Sequence, residues 1–235
     1  MLDSLFIQNL FSNDPGQRFY FLAVVITVVI SIVLHELAHG WAALWHGDDT
    51  PVRLGRMTGN PLVHMGPWSL LMLAISGIAW GQMPIDRTRM RGKHAEAIVA
   101  AAGPAMNVAL ALAAMTTLAV LMRIWGVADY PPTLFLIGDS LAATSVESWQ
   151  FSALRFTAIA GVYNLLLAMF NLLPIPPLDG SHILGNYSRK YADFVGDPRH
   201  QGFMLMLFIF GFMLAGRVLV AWSFNALEFY VGLLT

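Results

Sequence analysis

Residues 19–46 read FYFLAVVITVVISIVLHELAHGWAALWH. The apolar run 19–45 is long enough to cross a bilayer as a helix. Inside it stand His35, Glu36, Leu37, Ala38 and His39. On a helix, residues four apart share a face, so His35 and His39 can turn a ring nitrogen toward one metal ion. Glu36 lies about 100° round from His35. That offset suits a carboxylate that takes a proton from water beside the metal rather than one that ligates it. Thr27 and Ser31 fall on the stripe of His35 and His39. Two core histidines at this spacing by chance is the bland alternative. It is weak in an apolar segment, where three ionisable groups in five residues are costly and need partners.

The surrounding composition fixes the class. Hydrophobic residues make up 57% of 235 and charged residues 11%, against roughly 25% charged in ordinary soluble domains. With a mean hydropathy of +0.63, the chain reads as an integral membrane protein. A net charge of −1 gives no reason to expect nucleic acid as a partner. There is no cysteine, so disulfides and thiolate metal sites are excluded and any metal must be held by His, Asp or Glu. The first residues carry Asp3 and Asp14, no basic stretch and no small-residue cleavage site, so the first apolar run is expected to stay in the protein.

The remaining chain divides around that run. Residues 1–17 are expected along the interface, and 18–46 form the first membrane helix. Residues 52–64 carry Arg53, Gly55, Arg56, Gly59 and Pro61 and predict short strands or a hairpin. Residues 67–82 are apolar but short; sixteen residues rise only ~24 Å as a helix, less than the ~30 Å hydrocarbon core. They form a short span or a re-entrant element. Residues 95–122 and 151–173 are further long helices. The first contains the small residues 100–105 and then Asn107, a polar group that either joins helices or serves the site. Residues 201–234 are one long helix, or a span followed by an interfacial helix. The expected fold is all-α and polytopic, with about four to six transmembrane helices. A re-entrant or short β element lies between the first two long ones. One membrane-embedded domain is expected over 1–235, with its core in 18–200 and a C-terminal membrane helix in 201–235.

Charge sets the orientation. Nine of the thirteen Lys and Arg fall in segments 47–66, 83–94 and 185–200, and none falls in 126–150. Positive charge favours the cytoplasmic side. All three basic segments share that side if 67–82 enters and leaves by one face. The N-terminus is then outside and the chain crosses four times.

HExxH is the zinc metalloprotease signature, and a catalytic zinc wants three protein ligands and an open position. The metzincin extension fails, because Ala42 and Trp45 stand where its glycine and third histidine belong. His46 is two turns past His39. Glu96 opens a helix, where acids are favoured anyway. Glu228 lies toward the opposite membrane face. Asp179 is the best candidate, since it is the acid that ends the proline-broken segment 171–180 on the site's own side.

At this point the residues resemble a known family. His35-Glu36-Leu37-Ala38-His39, with Asn171-Leu172-Leu173-Pro174-Ile175-Pro176-Pro177-Leu178-Asp179-Gly180, looks like the site-2 protease family of intramembrane zinc metalloproteases. Every fixed position of its N-x-x-P-x-P-x-L-D-G motif is met. Gly103-Pro104-Ala105-Met106-Asn107 resembles its G-P-x-x-N helix, and Asn60-Pro61-Leu62-Val63-His64 its N-P-x-x-H region. Gly66 stands where many members have an aspartate. The resemblance covers roughly residues 20–200. It implies one zinc per chain held by His35, His39 and Asp179, with Glu36 as base and Asn171 positioning substrate or the oxyanion. Asn107 and His64 are candidates for the layer behind the ligands. It further implies cleavage of transmembrane protein substrates in the lipid bilayer. The hydropathy and charge pattern above lead us to expect a multi-pass protein of the bacterial inner membrane, with the site open to the cytoplasm. The alternatives are an inactive relative that binds membrane helices, and a membrane metallopeptidase acting on peptides.

Overall fold

The computed structural model describes residues 5–137 and 146–235. Of the segments read above, residues 1–4 of the N-terminal stretch and 138–145 of the 126–150 loop, including Asp139, lie outside the described residues.

Four helices are long and apolar enough to cross a membrane: Pro15–Trp45 (α1), Ala95–Ile124 (α5), Ser148–Asn171 (α7), and Gly216–Leu234 within Gln201–Leu234 (α10). Helices α1 and α7 start where local chemistry asks for it. Asp14 accepts a hydrogen bond from Gly16 N at 2.8 Å and Pro15 takes the first turn of α1, where its missing N–H costs nothing. Glu147 and Gln150 form a reciprocal capping box on α7. Helix α5 is central and touches α1, α7 and α10. One apolar cluster joins Met115, Leu118 and Met122 of α5 to Leu154 and Val162 of α7 and to Leu227 and Val231 of α10. A second joins Val24, Val28 and Ile32 of α1 to Ile159 of α7 and Leu73. Apolar packing therefore fills the bundle away from the two histidines and leaves the other end free for polar groups.

Residues 50–64 differ from expectation. They form the short helices Thr50–Arg53 (α2) and Pro61–His64 (α3), and no strand forms among the described residues. Pro51 and Pro61 sit in first helical turns, and Asn60 caps the second by accepting from Leu62 N at 3.0 Å. Proline and a cap start helices; read as breakers, they suggested a hairpin.

The next element re-enters. Helix Gly66–Ser76 (α4) has 11 residues, a rise of roughly 16 Å. Gly77, at φ +76°, ends it in the left-handed region, where glycine alone is unstrained. The chain then returns to the end it left. Gln82 N donates to His64 O at 3.1 Å, and Asp86 N donates to Asp48 Oδ2 at 2.8 Å. Residues 81–86 pass from beside Glu36 to beside Asp48. The last two and a half turns of α1 are roughly 14 Å long, which five residues cover only when extended. Buried Asp48, at the turn after α1, also accepts from Thr50 N at 2.9 Å.

The basic segments meet at this same end. Arg91 N donates to His46 O, and Arg89 pairs with Asp49. Helices Leu134–Ile137 (α6), Asp179–Tyr187 (α8) and Arg189–Gly196 (α9) complete the fold. Residues 201–234 are one continuous helix. Glu228 lies at the opposite end of the bundle and accepts from Thr133 N at 3.2 Å.

Candidate metal centre

Helix α1 carries His35 and His39 on one face, and α8 brings Asp179 to them. His35 Nε2 and His39 Nε2 are 3.0 Å apart. Asp179 places Oδ2 at 3.1 Å from the first and Oδ1 at 3.3 Å from the second. The three ligand atoms lie within 4.8 Å of one another. His46, Glu96 and Glu228 do not join them: His46 faces Arg91 O, Glu96 pairs with Arg87, and Glu228 holds Thr133.

The other ring nitrogens fix the tautomers. His39 Nδ1 donates to Val99 O at 2.7 Å, since a carbonyl can only accept. His35 Nδ1 donates to Asn107 Oδ1 at 2.5 Å. The amide orientation follows from the network: Asn107 Nδ2 donates to Asn164 Oδ1 at 3.1 Å, and Asn164 Nδ2 donates to Ala160 O at 2.9 Å. Both Nε2 atoms thus turn lone pairs toward one point, as does the buried Asp179 Oδ2, which has no hydrogen-bond partner. Three lone-pair donors facing each other repel, and a cation at their centre removes that cost. Two imidazoles and a carboxylate without sulfur suit zinc. Gly103 leaves the room: a Cβ there would stand 2.5 Å from His35 Nε2 and closer still to His39 Nε2.

The proline-broken loop presents Asp179. Leu178 N donates to Ile175 O at 2.9 Å, and Tyr191 Oη of α9 donates to Pro174 O at 2.9 Å. At Gly180 a Cβ would collide with Leu172 O, so the Asp-Gly pair lets the loop close on itself. At the mouth, Arg87 Nη2 donates to His182 Nδ1 at 2.8 Å. Burial, then the Arg87 charge, hold His182 below its ordinary value.

Glu36 stands apart from the ligands. It lines a cavity of about 920 Å³ with His35, His39, Asp179, Asn171 and residues 78–83. Asn171 ends α7, and its Nδ2 donates to Leu167 O at 3.0 Å. His64 is buried one shell further out. Its Nε2 donates to Thr58 O at 2.7 Å and its Nδ1 has no hydrogen-bond partner.

The model of Peptidase family M50 matches residues 23–215, a span that contains every one of these groups. The chain belongs to that family, the family of the site-2 proteases. YwhC of Bacillus subtilis, assigned by name as a zinc metalloprotease, is 36% identical over 68% of this chain and 67% of its own length. Rip2 of Mycolicibacterium smegmatis, likewise assigned, is 28% identical over 68% of this chain and 55% of its own. Rip2 of Mycobacterium tuberculosis is 26% identical over 80% of this chain and 67% of its own. The chain thus spans about half to two thirds of these M50 relatives. No solved structure matches significantly.

Sequence reasoning missed three parts of this M50 site. Asn164 carried a signal, being an amide in an apolar helix. Gly81 carried only the general signal of a glycine. The Val99 carbonyl carried none, because a main-chain acceptor looks the same in every sequence.

Proposed function

We propose that this chain is an intramembrane protease that cuts peptide bonds within or near transmembrane helices of membrane proteins, using one zinc ion per chain. As a member of family M50 it is a zinc metalloprotease. The observation that carries the intramembrane reading is depth. His39 and His35 lie seven and eleven residues from His46, roughly 10 and 16 Å along α1, with membrane-length helices around them.

His35, His39 and Asp179 hold the metal, which when bound supplies Lewis-acid polarisation of the scissile carbonyl and acidifies a water. Glu36 takes the proton from that water and returns it to the leaving amine. Asn171, at the cavity wall, turns its amide to the substrate carbonyl. Asn107 keeps His35 in the tautomer that ligates, and His64 supports the return segment.

A helical substrate hides its carbonyls and must unwind. The extended segment 78–83, rather than residues 52–64, supplies an edge for the unwound strand. Trp80 and Gln82 bond inward, to Ser69 and His64. Among the described residues, the main-chain groups of Ala79, Gly81 and Met83 between them bond to nothing. A free edge of this kind accepts an added strand. The basic segments gathered at the Asp48 end support a cytoplasmic side for that end under the positive-inside rule, in keeping with a bacterial inner membrane and a site open to the cytoplasm.

The test is cleavage in proteoliposomes of a single-span model substrate, a polyleucine helix broken by Asn-Gly-Pro in its half nearest the basic loops. Mass spectrometry of the fragments should place the cut inside that half. Glu36→Gln should abolish it. Cutting confined to the soluble tails, or persisting in Glu36→Gln, would refute the reading.

A further inference from the structure

We propose that Ser69 is a positioning residue, whose one buried hydroxyl holds both main-chain groups of Trp80 and so sets the register of the edge that receives substrate. The inference rests on the strand-edge reading of residues 78–83. Ser69 Oγ donates to Trp80 O at 2.6 Å and accepts from Trp80 N at 2.9 Å. In an antiparallel ladder, a residue of the neighbouring strand exchanges this pair of bonds. Here a helix, α4, lies alongside instead, and its own main-chain groups are spent within it. A serine hydroxyl can do both jobs from a helix, since it donates one bond and accepts others. Ser69 is 0% exposed, so no water replaces it there.

What Ser69 fixes lies one residue on. A Cβ on Gly81 would stand 2.5 Å from Glu36 Oε1 and 2.7 Å from Ile32 Cγ2. The segment therefore passes directly over the proposed base, and the anchorage of Trp80 decides which main-chain group of the edge stands beside it. Main-chain groups of successive extended residues face opposite edges, so with Trp80 N and O on Ser69, those of Ala79 and Gly81 face the other edge. Loss of the hydroxyl frees Trp80 N and O together. The outer edge then loses its alignment to Glu36, while the three ligands, on α1 and α8, keep theirs.

Binding of hydroxamates to the zinc-loaded protein tests this without a known substrate. Acetohydroxamate reports the metal centre alone. A tripeptide hydroxamate reports the centre and the edge, and two analogues N-methylated at adjacent residues report strand pairing, because only one of two neighbouring amides faces an edge. In the wild type, the tripeptide should bind more tightly than acetohydroxamate, and one N-methyl analogue should lose about tenfold, the scale of one unsatisfied buried bond. Ser69→Ala should weaken the tripeptide by about tenfold, erase the difference between the analogues, and leave acetohydroxamate unchanged. Ser69→Thr, which keeps the hydroxyl, should retain the difference. Equal losses for both analogues in the wild type, or no gain of the tripeptide over acetohydroxamate, would overturn the strand-edge reading and this inference with it. A clear difference in the wild type that survives in Ser69→Ala would overturn the role of Ser69 alone. So would loss of acetohydroxamate binding in Ser69→Ala, which would place Ser69 in support of the centre instead.

Discussion

At Gly103 the absence of a side chain is the functional feature. Its α-carbon faces both ligating nitrogens, and a methyl there would fill the space the three donors share. Gly103→Ala should keep the helical content by circular dichroism and lose most bound zinc by mass spectrometry; full zinc would show that the rings step aside. Asn107 is the second test at this scale. It is fully buried, accepts from His35 and donates to Asn164. Removing such a partner typically costs 10–100-fold in metal affinity. Asn107→Ala should weaken zinc by about that factor in a chelator competition, and an unchanged affinity would make Asn107 helix packing only. Much of this centre was legible in the sequence. His35, Glu36 and His39 announce themselves by spacing, and Asp179 by being an acid where prolines end a helix. The Val99 carbonyl and the Gly103 approach were not legible, because both depend on how close α5 comes to α1. Spacing along one helix says nothing of that distance.

The element that organises the mouth of the cavity is the return segment 77–86, and Asp48 holds its far end. Burial pushes the Asp48 carboxyl up, but bonds from Thr50 and Asp86 and the Arg89 charge outweigh it and lower it. A carboxyl lowered in the folded state adds stability above its ordinary value near 3.8, and that stability is lost as pH falls through the folded value. Asp48→Asn puts an N–H₂ where an acceptor is needed for Thr50 N or Asp86 N. Hydrogen exchange near residues 50 and 86 should therefore quicken in Asp48→Asn at neutral pH, and the wild type should approach that behaviour only in strong acid. Equal protection in both proteins would show that Asp48 does not hold the segment. This clasp is not legible in the sequence, since aspartates in a basic loop read as solvated charge. The hairpin expected at residues 52–64 failed for a related reason. Pro61 reads as a breaker in the sequence, but in the fold it begins a helical turn with Asn60 as its cap, as Pro51 begins another. The short length of 67–82 was the more reliable signal, because chain reach is a hard limit and turn chemistry is not.

Across the whole molecule, the two ends of the bundle differ in chemistry. One gathers His46 with Arg91, Asp48 with Asp86, and Asp49 with Arg89. The other pairs Trp125 with Trp149, ring centroids 5.4 Å apart, as aromatic side chains do at a membrane surface. With no natural cysteine to remove, single cysteines at Thr50, Arg89 and Ser148 report the sides directly. An impermeant thiol reagent on intact cells should label only the cysteine at Ser148. Labelling at Arg89 from outside would mean that α4 and its return complete a crossing. Four helices of membrane length, and a fifth apolar helix too short to cross, are readable from hydropathy and length. The continuity of α10 was left open, because an apolar stretch of 34 residues can bend anywhere. Helices α1 and α8, far apart in sequence, meet at His35, His39 and Asp179, and we propose that one zinc ties them there with Glu36 outside its ligand set. Zinc per chain, measured by mass spectrometry on purified wild type, Asp179→Ala and Glu36→Gln, tests it most directly. The account predicts one zinc in the wild type and in Glu36→Gln, and little in Asp179→Ala. Full zinc in Asp179→Ala, or its loss in Glu36→Gln, would contradict it.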